Sequence, residues 1–156
     1  MAKAARTVRQ PALKAASTPH QTPSPDASSA AGDRIGPFLI MLAAFLMAAG
    51  VADAAAAAHA DAARELSAAA LLMTTNAPMV GLIGLGIACG KLPRVPAAGG
   101  AFAAFLGAVL FSADMLSRVY GSGRLFAYAA PTGGSLIIAG WTIIGVAMVW
   151  TVAKRR

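Results

Sequence analysis

From Ile35 onward the pattern shows neither the alternation of a half-buried strand nor the one-sided stripe of a surface helix. Instead there are four long, nearly unbroken apolar runs, about residues 35–58, 71–89, 97–116 and 135–153. Each approaches the roughly 20 residues that carry a helix across a hydrocarbon core about 30 Å thick, at about 1.5 Å per residue. Helices of a soluble bundle would keep a polar face, and these runs are apolar all round. The pattern therefore predicts an all-α membrane protein, a four-transmembrane-helix bundle. Polar breaks separate the runs: HADAARELS at 59–67, GKLPRVP at 90–96, and a Gly/Pro-rich stretch at 117–134.

Residues 1–34 are of another kind. They carry four prolines, many Ser, Thr and Ala, and five basic residues (Lys3, Arg6, Arg9, Lys14 and Arg34), with no aromatic side chain. Such a segment buries too little apolar surface to offset its ordering entropy, so a disordered basic tail is expected, followed by a membrane domain over 35–156. Arg- and Ser-rich, acid-poor composition also describes an organellar transit peptide. A secretory signal is not expected, because no apolar core precedes residue 35.

Composition sharpens this picture. Hydrophobic residues are 58% of the chain and charged residues 12%, about half the charged share of a soluble domain. The net charge of +7 lies in the chain ends and linkers rather than along one stripe, which argues against a nucleic-acid partner and leaves the lipid bilayer as the first one. An even number of spans puts both termini on one side. Ten basic residues fall in the tail, the second linker (Lys91, Arg94) and the C-terminus, against three (Arg64, Arg118, Arg124) on the other side. The excess predicts cytoplasmic termini. One cysteine, Cys89, and two histidines, His20 and His59, are too few for a disulfide framework or a metal site, and no cofactor is expected.

Polar groups inside apolar spans are functional candidates by default. Asp53 lies in the outer part of the first span, with His59 just beyond it. Thr74, Thr75 and Asn76 are read as the outer half of the second, followed by Pro78. Asp114 and Arg118 share a face near the outer end of the third. Pro131, Gly133, Gly134 and Trp141 form an entry motif for the fourth, whose free N-terminal amides would favour an anion. Two readings stay open for the cluster Asp53, His59, Thr75, Asn76, Asp114 and Arg118. It forms a polar pocket open to the outside, or it consists of interfacial residues with Asp114 and Arg118 neutralising each other. No nucleophile–base pair, phosphate loop, zinc-protease or dinucleotide motif occurs, so an enzyme is not expected. The classes that remain are an accessory or structural membrane protein, with a membrane-protein partner or a second copy, and an oligomeric transporter or channel.

Residues Gly107, Leu110, Phe111, Ser112 and Asp114, then Arg118, Gly123 to Phe126, Ala130 to Gly134, and Gly140-Trp141 resemble the C-terminal half of the bacterial membrane family catalogued as domain of unknown function 423. Ala57-Ala58-His59 is similar to that family's small-small-His signature. The resemblance implies a small four-helix protein of the bacterial cytoplasmic membrane with no established activity. Carried over position by position, it covers His59, Phe111, Ser112, Pro131, Gly133, Gly134, Gly140 and Trp141. Where family members carry a second histidine in helix 2, this chain has Thr75-Asn76. Chemistry shared by two histidines would be lost here, while a hydrogen-bonding role could survive.

Overall fold

The computed structural model describes residues 34–154 except 60 and 122. The expected disordered tail, up to residue 33, lies outside the described residues. Four helices follow: α1 Ile35–Ala57, α2 Ala63–Ala88, α3 Arg94–Tyr120 and α4 Ala129–Ala153. No strand occurs among the described residues. All four are long and apolar enough to span a bilayer, and the chain is an all-α four-helix bundle.

Three boundaries depart from the hydrophobic runs. α2 begins at Ala63 rather than at residue 71, because Arg64, Glu65 and Leu66 are good helix formers although the stretch is polar. α3 takes in Arg94 and Pro96, and α4 takes in Pro131 to Gly134. A proline in the first turn withholds an N–H that has no intrahelical partner anyway, so it opens a helix as readily as it ends one. The linkers shrink accordingly. Between α2 and α3 the chain reverses at Gly90, whose φ of +64° suits glycine. There the Lys91 N–H donates to the Gly86 carbonyl at 2.8 Å, closing the end of α2.

The buried positions follow a seven-residue repeat. In α1 they are Gly36, Leu39, Ala43, Leu46, Gly50 and Asp53, spaced alternately by three and four, the seam of left-handed helix packing. Its small members bring backbones together. A Cβ on Gly36 would lie 2.6 Å from the Gly84 carbonyl oxygen of α2. One on Gly140 would lie 2.5 Å from that of Gly100, and one on Gly107 2.5 Å from that of Gly133, both across α3 and α4. With no hydrophobic drive between helices in lipid, such approach supplies the dispersion contacts and shape match that hold spans together.

α1 with α2, and α3 with α4, form two tight hairpins joined through α2 and α3. α1 touches α3 only lightly, and α1 and α4 share no packed seam. The core stacks in layers along the bundle. One layer is built on the aliphatic side chains of Leu39, Val80, Ile87, Ala101 and Ile144, with Trp141 packed against it. Next come Leu46, Met73, Ala77 and Ala108, then Ala69, Met115 and Ala130.

Candidate functional site

Asp114 is fully buried near the C-terminal end of α3. Arg118, one turn on, donates from Nε at 3.0 Å and also from Nη2 to Asp114 Oδ2. The other carboxylate oxygen accepts the Leu125 N–H at 3.0 Å. The carboxylate is thus shared between the guanidinium of Arg118, whose side chain is about a third exposed, and a backbone amide of the α3–α4 linker. Ser117 Oγ donates to the Gly123 carbonyl at 2.8 Å, a second tie from the end of α3 to the same linker. Asp114 therefore acts as a staple that holds the linker down, and it satisfies an amide that the turn leaves free.

Asn76 is placed differently from the sequence expectation. With α2 beginning at Ala63, it falls at the midpoint of that helix instead of in the outer part. Trp141, read as part of an entry motif, likewise lies at the midpoint of α4. The two meet there: the Trp141 indole N–H donates to Asn76 Oδ1 at 2.9 Å, and Asn76 Nδ2 donates to the Leu72 carbonyl at 2.9 Å. An amide and an indole that would each be costly in hydrocarbon satisfy one another at mid-depth. The expectation of a single outer cluster is corrected on this point.

Thr74 and Thr75 also donate backward, to Ala70 and Leu71, both at 2.7 Å. Three consecutive residues thus bond carbonyls of the turn before, immediately ahead of Pro78, whose missing N–H interrupts the ladder. Thr75 is exposed, and its hydroxyl is satisfied locally. His59 is an exposed residue of the α1–α2 turn. Its backbone N–H donates to Ala56 at 3.1 Å. No hydrogen bond or ion pair joins His59, Thr75 or Asn76 to the Asp114 staple. Ser112, fully buried on α3, donates to the Ala69 carbonyl of α2 at 3.3 Å. It is a tie between hairpins that the sequence reading noted only through the family resemblance.

Asp53 stands apart. It is buried in the last turns of α1, and its Oδ2 has no hydrogen-bond partner. Of the two readings open from the sequence, one joined Asp53 and Asp114 in a single pocket; no hydrogen bond connects them. Pro131, Gly133 and Gly134 do not form a free amide cradle, since α4 already opens at Ala129 and the Thr132 N–H donates to the Tyr128 carbonyl at 2.9 Å. Gly133 instead meets the backbone of Gly107 and Phe111, whereas a Cβ on Gly134 would meet open space. No group of three His, Cys, Asp or Glu placed to hold a metal occurs among the described residues. Apolar grooves open on the outer faces of the helices. One of about 640 Å³ runs between α1 and α2 over Ala43, Met47, Ala77, Pro78 and Gly81.

These features define a class: an all-α, multi-pass membrane protein whose buried polar groups serve mainly as ties between its helices and linkers. The chain matches no protein-family model, and no curated protein or solved structure is significantly similar to it.

Proposed function

We propose that this chain is an accessory or structural component of the bacterial cytoplasmic membrane, with both termini cytoplasmic, acting through helix packing against lipid and other membrane proteins. The observation that carries this reading is the internal use of its polar groups. Asp114, Asn76, Ser112 and Trp141 all spend their hydrogen bonds inside the chain, and the buried side chains of the cluster around Leu39 and Val80 are aliphatic. The proposal extends to membership of the domain-of-unknown-function-423 family. In its support, Ser112, Gly133, Gly140 and Trp141, which carry the resemblance, all make interhelical contacts.

A transporter is the second reading, and Asp53 alone favours it: a buried carboxylate oxygen without a partner is what a transported cation or proton would use. Reconstitution decides between the two. Liposomes holding the native chain should stay tight to protons and monovalent ions. A specific flux abolished by Asp53→Asn would overturn the accessory reading. Orientation has its own test in the exposed thiol of Cys89, beyond the end of α2. An impermeant maleimide should reach it in inside-out vesicles and not in intact cells.

A further inference from the structure

The two hairpins repeat one another. Their registers are set by the glycine crossings, Gly36 on Gly84 in the first and Gly100 on Gly140 in the second. In that register residues 36–49 of α1 and 100–113 of α3 are identical at six of fourteen positions: Gly36/Gly100, Phe38/Phe102, Leu42/Leu106, Ala44/Ala108, Leu46/Leu110 and Ala49/Ala113. α1 is thus the counterpart of α3, and α2 that of α4.

Each inner helix uses two faces. α2 turns Gly84 toward α1 and Val80 and Ile87 toward the core shared with α3. α3 turns Gly100 and Gly107 toward α4, and Phe105, Ala108 and Ser112 toward α2. The outer helices lack a partner for the second face. On α4 the counterparts of Val80, Ile83 and Ile87 are Leu136, Ala139 and Ile143, with Leu136 half-buried, Ala139 exposed and Ile143 45% exposed. On α1 the counterparts of Phe105, Ala108 and Ser112 are Met41, Ala44 and Ala48, all exposed. One end of the molecule therefore presents an uncovered α3-like face and the other an uncovered α2-like face.

We propose that a second copy of the chain covers these faces, with α1 of one copy packed on α4 of the next in a repetition of the internal α2·α3 seam. Two copies inserted the same way bring α1 and α4 together antiparallel, as consecutive α2 and α3 are. Ala44, Ala48 and Ala139 are small enough for the close approach that spans require in lipid. The contact is heterologous, α1 face on α4 face, so it builds rings or rows rather than an isolated two-fold dimer.

Register makes the test specific. Phe105 packs against the layers that contain Val80 and Ala77, and the positions that correspond to Phe105 and Val80 between copies are Met41 and Leu136. In a Cys89→Ser background, one tagged full-length chain carries Met41→Cys and a second carries Leu136→Cys, coexpressed in one membrane. A short bifunctional thiol reagent should give a mixed dimer from the pair and none from either variant alone. A chain carrying both cysteines should give a ladder of higher oligomers. Ile138→Cys, at similar depth on another face of α4 and 70% exposed, should not link to Met41→Cys. The proposal is overturned by no mixed dimer, by dimers of either single variant, by equal linking through Ile138→Cys, or by a link confined within one doubly substituted chain.

Discussion

The Asp114–Arg118 pair predicts an asymmetry that depends on which partner is left behind. Asp114 is fully buried, while the Arg118 side chain is 31% exposed. Replacing Asp114 with Ala frees a guanidinium that can turn to water, so little of the ion pair's loss is felt. The main cost is the Leu125 N–H, which loses a charged acceptor at 3.0 Å, a bond of about 1.5–3 kcal/mol. Asp114→Ala should thus cost about 2 kcal/mol. Arg118→Ala leaves a buried carboxylate with the Leu125 amide as its remaining partner. Breaking a buried pair from that side costs about 3–5 kcal/mol, and the partial exposure of Arg118 puts the expectation near the lower end, about 3 kcal/mol. The double variant should fall back to about the value of Asp114→Ala, since no unpaired charge remains. Unfolding in mixed micelles, followed by helical circular dichroism against denaturing detergent, gives all three values and the coupling energy. Equal stability of all variants, or a greater cost for Asp114→Ala than for Arg118→Ala, would refute the staple.

Two further outcomes follow from packing. Gly140→Val places a side chain 2.5 Å from the Gly100 carbonyl oxygen and 2.7 Å from the Ala104 nitrogen, and overpacking of that kind costs roughly 1–3 kcal/mol. Gly145→Ala meets nothing within 4 Å and should be neutral or stabilising by up to about 1 kcal/mol, the helix preference of Ala over Gly. The same unfolding assay compares them, and equal effects would mean that the α3·α4 crossing is absent in the membrane. Trp141→Phe removes the donor to Asn76 and should cost about 0.6 kcal/mol, the average for hydrogen bonds between membrane helices, and no more than about 1.7 kcal/mol. Adding Asn76→Leu should recover most of that loss, as a double-mutant cycle will report.

Much of the fold was legible because hydrocarbon imposes a one-dimensional rule. A span must be apolar and about 20 residues long, so helix number and class follow from hydropathy along the chain. Helix ends were less legible, because Arg64-Glu65 and Pro131 are compatible with helix and yet polar or helix-breaking on a hydropathy reading. The pairing of Asp114 with Arg118 could be expected from their spacing of four residues along a helix. The Asn76–Trp141 bond could not, since it joins residues 65 positions apart that meet only when α2 and α4 flank α3 at matching depth.

By itself the sequence determined an all-α protein with four apolar helices, and it singled out the polar residues that those helices must accommodate. Only the tertiary structure decided their use: Asp114 as a linker staple, Asn76 as a mid-depth tie, Asp53 with an oxygen unpaired, and Gly100, Gly107, Gly133 and Gly140 as crossing points. The physical reason lies in the range of the forces. Transfer to lipid acts on each residue where it stands in the chain, whereas hydrogen bonds and backbone approach act over about 3–4 Å and depend on helix register, which apolar composition leaves undetermined.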